Sequence, residues 1–350
     1  MITGLIIVLA LILVLPFAFR KIEHNLEYFL LVMGLSAAII SGSLSLELAE
    51  HIFMNYLLYF ITAAVLIAGL IFRISVKKIK EFVIFATTKI PLPLFIFLLI
   101  LVLGLLSSFI TAIIAALILV EIVHALPVKH GRKVLLTIVA CFSIGLGAAL
   151  TPIGEPLSTI VVSALKADFF YLARNIGIYV IPGVIALALL GAFIAGRKEA
   201  AAGVSEEDVN LDIEEEILVQ AESLKAVFVR ALKIFLFVIA LELLGSGFKP
   251  LINTYIIQLD SRILYWINMS SAVLDNATLA AAEISPAMSL KQIQSILMGL
   301  LLSGGMLIPG NIPNIISAGK LGIKSREWAK TGLPIGLSLL VIYFGIIFLI

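Results

Sequence analysis

Apolar runs of the length a bilayer demands recur along the whole chain, and they restrict what it can fold into. The clearest are LPLFIFLLILVLGLL (92–106) and the stretch 176–195. A spanning helix needs about 20 such residues, and lipid leaves every backbone polar group to be satisfied within the protein. Hydrophobic residues make up 62% of the chain and charged ones 13%, against about 45–50% and 25% in soluble domains. That is too little polar surface to cover a water-soluble core. The expected class is an all-α polytopic membrane protein, with the lipid bilayer as its first partner.

Other classes fall away early. The net charge of +2 and the scattered basic residues give no reason for a nucleic-acid partner. Cys141 is the lone cysteine, so no internal disulfide forms, and a small apolar core role is expected. No HExxH, CxxC or P-loop pattern occurs, nor any nucleophile–base pair. The expectation is therefore no enzyme and no cofactor, with sodium and protons only as transported or coupling ions.

Lys and Arg gather in cytoplasmic loops, which orders the spans. Residues 2–19 end at Arg20-Lys21 and read as a retained first span rather than a leader, starting outside. Residues 28–41 lead to SGSLSLELAE (41–50), without Lys or Arg and so outside; 52–72 return to Arg73, Lys77, Lys78 and Lys80. The run 91–126 has basic segments at both ends and is interrupted at SSFITA (107–112), which suits a re-entrant hairpin. Residues 134–165 cross outward and 176–195 return. The acidic segment 197–225 reads as a cytoplasmic linker. Residues 226–244 cross outward again. A segment with its tip at SSAVLDNAT (270–278) re-enters from outside, 293–317 cross inward, and 332–350 end outside.

The two halves then carry one plan in opposite orientation: a Ser-rich tip, then a Pro-interrupted helix. The interruptions read LTPIGEP (150–156) and LIPGNIPN (307–314). Aligning their prolines sets Pro152 opposite Pro309 and Pro156 opposite Pro313, with Glu155 opposite Ile312. Aligning the tips sets Ser107 opposite Ser271, Thr111 opposite Asp275 and Ala112 opposite Asn276. Short, Pro/Gly-interrupted hydrophobic segments in corresponding halves point to a transporter's binding site. The expected division is 1–50, an N-terminal two-helix hairpin; 51–196, repeat one; 197–225, the linker; and 226–350, repeat two.

Pro152, Gly154 and Pro156, with Pro309, Gly310 and Pro313, are the expected helix breakers, since an interior proline removes a hydrogen bond and clashes with the preceding turn. Unwound turns expose helix ends of either polarity, which suit an ion without fixing its sign. Asp275 favours a cation: a carboxylate deep in a membrane is functional by default, and hard cations take oxygen ligands. The proposed ligands are Asp275, Asn276, Thr278 and Ser271 at the second tip, Ser107, Ser108 and Thr111 at the first, and Thr151, Glu155, Asn311 and Asn314 at the breaks. A sodium ion is expected at Asp275, Asn276 and Thr111. Asp275 also suits the N-cap of a helix starting at Asn276, and Glu155 also suits the water-facing end of a cavity. Glu121, His124 and Glu283 read as interfacial, while Glu242 has no assigned role.

Ser271-Ala272-Val273-Leu274-Asp275-Asn276 and Ser303-Gly304-Gly305 with Pro309-Gly310-Asn311 resemble the ion transporter superfamily, nearest to its NhaD-type sodium/proton antiporters and ArsB-type permeases. The resemblance covers about residues 90–350. It departs at SSFITA, which lacks the Asp-Asn pair of NhaD-like tips. The resemblance implies a homodimer and an elevator-like movement. The expected architecture is thus about eight transmembrane helices, two of them broken, and two re-entrant hairpins in the inner membrane of a prokaryote, with both termini outside. The expected function is cation/proton antiport, with sodium-coupled transport of an oxyanion or small carboxylate as the alternative and an ion channel behind both.

Overall fold

The computed structural model describes residues 1–19, 22, 25–55, 58–59, 62–63, 66–67, 70, 74, 90–126, 128–197, 224–272 and 276–349. Among them every regular element is helical. In chain order these are α1 (Ile2–Ala18), α2 (Leu26–Ser41), α3 (Leu46–Met54), α4 (Leu92–Ile110), α5 (Ala112–Ala125), α6 (His130–Ala148), α7 (Pro156–Ala164) and α8 (Tyr171–Gly196). They continue with α9 (Leu224–Leu251), α10 (Ser261–Ile267), α11 (Asn276–Glu283), α12 (Leu290–Gly304), α13 (Ile312–Leu321) and α14 (Ser325–Leu349). A π turn (Ile252–Ile256) follows α9, and short 3-10 turns cover Asn268–Ala272 and Ile308–Gly310. Helices α4, α6, α8 and α14 are each long and apolar enough to cross a membrane. The architecture is that of a helical membrane protein.

The third expected span is revised at its start. Ile52–Met54 close α3, and extended Asn55 ends that helix. About half of 52–72 lies outside the described residues, as does nearly all of the acidic linker.

Several helix ends carry caps that polar chain supplies. Ser45 Oγ accepts from the Leu48 N–H at 3.1 Å, and Ser289 and Gln292 form a reciprocal capping box. Helix α2 stops at Gly42 with φ 72°, a left-handed conformation that glycine adopts without strain.

Small residues let backbones approach where lipid provides no hydrophobic drive. Helix α2 lies along α9, with α1 beside them. A Cβ on Gly34 would fall 2.8 Å from the Ala240 oxygen, and one on Gly247 2.7 Å from the Ala37 carbonyl carbon. Near one end of this pair, Lys233 Nζ meets the buried Glu27 carboxylate at 2.5 Å. Helices α4, α6 and α8 form a second bundle, tight enough that a Cβ on Gly147 would lie 1.7 Å from the Gly104 oxygen. Helix α12 packs between α10, α6 and α14, and the buried Trp328 of α14 donates to the Gly305 oxygen at 3.2 Å.

Two helices are interior almost throughout: α6 from Leu136 to Ala148, and α12 over most of its length. Helices apolar on all sides belong inside a bundle. The outward faces of α8 and α14 expose Ile178, Leu189, Phe193 and Val341, apolar surface suited to lipid. Both interior helices end in an interruption, which puts the breaks deep in the protein.

Candidate functional site

The first break begins where α6 ends, at Ala148; α7 restarts at Pro156. Pro156 stands in the first turn of α7 and Pro313 in the first turn of α13. A proline there removes an N–H that has no partner within the helix anyway. These two residues therefore start helices, and only Pro152 and Pro309 lie within the unwound turns.

The structure brings the first tip and the first break together. The Ala112 N–H donates to the Gly154 oxygen at 2.8 Å, and the Thr151 hydroxyl donates to the Ser108 carbonyl. Ser107 Oγ lies 2.6 Å from the Gly104 oxygen and 3.1 Å from the Ile144 oxygen, and Ser108 Oγ donates to Leu105. Between α4 and α5, Thr111 adopts φ 78° and ψ 148° while its side chain accepts from the Ile114 N–H. A β-branched residue with positive φ is a steric outlier, and such strain concentrates at functional sites.

The second tip and second break also meet. A Cβ on Gly310 would fall 2.6 Å from both the Ser271 and Gly304 oxygens. Asn314 Nδ2 donates to the oxygens of Gly304 and Leu307, each at 2.8 Å. Ser303, unmarked by the sequence analysis as a ligand, bonds to the Asn268 oxygen at 2.8 Å. Asn276 opens α11 and is buried, and Thr278 lies within that helix. Asp275 lies outside the described residues.

The two breaks share one local fold, in a register the prolines do not give. Glu155 caps α7 with φ −154°, ψ 161°, and Asn311 caps α13 with φ −153°, ψ 148°. Ser158 Oγ reaches the Ala148 oxygen at 3.5 Å as Asn314 Nδ2 reaches Gly304. A Cβ on Gly154 would strike the Ala148 oxygen, just as one on Gly310 would strike that of Gly304. Glu155 therefore corresponds to Asn311, not to Ile312, because the two helices restart at the same distance from the preceding helix end. The proline alignment is one residue out.

The halves interlock. Helix α5, past the first tip, packs on α13, past the second break; α11, past the second tip, packs on α7, past the first break. A Cβ on Gly145 would fall 2.5 Å from Asn311 Nδ2, so the Asn311 amide lies directly over α6. The Cys141 thiol, buried as expected, donates to Ser317 Oγ on α13 at 3.3 Å. Glu155 and Asn311 are both buried, 5% and 3% exposed.

Ser271 Oγ, Asn276 Nδ2 and Asn314 Oδ1 are buried without a hydrogen-bond partner among the described residues. Ser271 Oγ and Asn276 Nδ2 lie 3.6 and 3.7 Å from a Cβ position on Gly304. Buried polar atoms are almost always paired in folded proteins, so three orphans around one break mark a place with capacity for a ligand. Of the three, Ser271 Oγ and Asn314 Oδ1 are oxygens that suit a hard cation, whereas Asn276 Nδ2 is a donor. The half-helix N-termini of α7 and α13 add partial positive charge.

Two residues depart from the sequence reading. Glu283 is 9% exposed rather than interfacial, and accepts from Asn268 Nδ2 at 2.8 Å. Glu242 accepts from Asn55 Nδ2 at 2.9 Å and from Ser163 Oγ at 3.0 Å, tying α9 to α7 and to the end of α3. Neither partnership has a spacing signal, because each joins residues distant in the chain. His124 is exposed near the end of α5.

Residues 2–350 match the family described as "Protein of unknown function (DUF1646)". No curated protein matches the chain.

Proposed function

The chain belongs to the DUF1646 family, and we propose that it is a secondary active transporter exchanging a cation, sodium first, for protons. One observation carries this reading: two interior helices unwind in the same way, each against a Ser-bearing tip, with buried Glu155 and Asn311 at equivalent caps. Interrupted helices whose ends line a shared interior are the means by which transporters hold an ion between two exits. Asp275 supplies the exchanging carboxylate in this proposal, with Ser271, Asn276, Asn314, Glu155 and Asn311 as the further groups that would meet the ion. The tips and breaks would move together past the rest of the protein, in a homodimer within the prokaryotic inner membrane.

The test is a liposome assay with an internal pH dye and an imposed proton gradient. Outside sodium, lithium or potassium is expected to collapse the gradient in the wild type, and Asp275→Asn to abolish the response. A wild-type protein that binds sodium but moves no protons rules the exchanger out.

A second reading has its own support. The N-terminus of α13 presents partial positive charge beside the neutral Asn311, which suits an oxyanion or small carboxylate carried with sodium. Anion-dependent sodium uptake without proton movement would establish it instead.

A further inference from the structure

The bond between Asn268 and Glu283 has no equivalent among the described residues of the first half of the chain. It joins the segments on either side of 273–275: Asn268 stands in the 3-10 turn before them and Glu283 at the end of α11. Asn268 Nδ2 also donates to the Leu264 oxygen at 2.9 Å, while Asn268 Oδ1, wholly buried, has no partner among the described residues. Ala112 opens α5 as Asn276 opens α11. In that register Asn268 corresponds to Gly104 and Glu283 to Leu119, both buried. The same position in the first half is thus built without a polar side chain. Packing alone gives no reason to bury a carboxylate there.

An ionised carboxylate held by one neutral donor is costly to bury, and the cost falls away when the group takes up a proton. No cation among the described residues offsets it. Helices α1 and α7 and the 3-10 turn, all packed on α11, carry no titratable side chain, although Glu155 caps α7. On α9, Glu242 is held by Asn55 and Ser163, Lys233 pairs with Glu27, Lys225 and Lys249 are exposed, and the side chain of Arg230 lies outside what the structure describes. Lys291 of α12 donates to the Ile347 carbonyl, and Tyr255 of the π turn is exposed. Tyr265 of α10 donates to the Leu340 oxygen.

We propose that Glu283 is a proton-binding site, steadied by Asn268 and distinct from Asp275. Without a bound cation it carries the proton as the uncharged acid. When a monovalent cation binds, the acid O–H breaks, the proton leaves to water, and the carboxylate and the Asn268 amide oxygen take the cation. One positive charge replaces one. The exchange step rests on the transporter reading above, whereas the protonation does not.

Infrared difference spectroscopy of the purified full chain tests both parts, with sodium chloride as the probe. The wild type at neutral pH is expected to show a protonated-carboxyl band that Glu283→Gln removes and Asp275→Asn leaves in place. Saturating sodium is expected to reduce the wild-type band at least twofold. A band unchanged by Glu283→Gln means that the residue is ionised and overturns the proposal. A band lost in that variant but indifferent to sodium overturns the exchange. If Glu283→Gln does not fold, Glu283→Asp serves in its place, with a shift in band frequency as the expected result and an unshifted band as the overturning one. Loss of antiport in liposomes with the band and its sodium response intact would refute the transporter reading alone.

Discussion

Glu155 and Asn311 hold the same place in two separate breaks: each is the extended residue at which an interior helix restarts. One is acidic and the other an amide, so the two breaks offer one local geometry with different charge. A difference at one pair of equivalent caps is a simple way to make a two-fold-like site bind a charged ligand unequally, and it yields the first prediction.

Exchanging those caps separates geometry from charge. Glu155→Asn puts a favoured N-cap residue where Glu155 makes no capping bond and so is expected to leave thermal stability no more than about 1 kcal/mol below the wild type. It is expected to weaken apparent sodium affinity about tenfold, or about 1.4 kcal/mol. Sodium titrations in liposomes, beside thermal unfolding in detergent, check both.

Gly145→Ala addresses the Asn311 amide directly. The added Cβ would fall 2.5 Å from Asn311 Nδ2, the far end of a rotatable side chain, whereas no backbone atom of another segment lies so near. The expected outcome is a folded protein with weakened ion binding, by about fivefold to tenfold. Gly147→Ala is the contrasting case. Its Cβ would lie 1.7 Å from the backbone oxygen of Gly104, and forced backbone separation costs about 1–3 kcal/mol or more. Its expected outcome is loss of monodisperse protein in size-exclusion chromatography.

Thr111 inverts a familiar ranking. Alanine normally exceeds glycine in stability by about 1 kcal/mol inside helices, but Thr111 sits at φ 78° between two helices. Both substitutions remove the capping oxygen, and only glycine relieves the backbone strain of about 1–3 kcal/mol. Thr111→Gly is therefore expected to melt above Thr111→Ala. The reverse order would show that the strain is not stored at this residue.

Asn314→Ala should unsettle the second break more than Ser158→Ala unsettles the first. Asn314 donates to two buried carbonyls at 2.8 Å, whereas Ser158 reaches one at 3.5 Å. Leaving a buried acceptor unpaired costs about 1–3 kcal/mol, so about 2 kcal/mol of additional destabilisation is expected. Paired thermal melts measure the difference.

The sequence marked the interrupted segments because proline, glycine and small polar residues stand out in long apolar runs. Tips and breaks accordingly meet where those letters suggested: Thr151 bonds to Ser108, and Gly310 lies against Ser271. It misaligned the breaks because a proline within the first turn is tolerated at more than one position. Pro156 and Pro313 therefore do not mark equivalent residues. It read Glu283 as interfacial because burial of a carboxylate at a helix end depends on which segments cover it, and nothing local reports that.

Composition and apolar run length by themselves determined an all-helical membrane protein, because the bilayer leaves few ways to satisfy a buried backbone. The placement of the interruptions followed from the residues that cannot continue a helix. Tertiary structure alone decided that Glu155 matches Asn311, that Asn311 lies over Gly145, and that Asn268 holds Glu283. The first is a register set by where each interior helix ends, and the other two are contacts between separate segments, set by how helices pack rather than by the letters along any one of them.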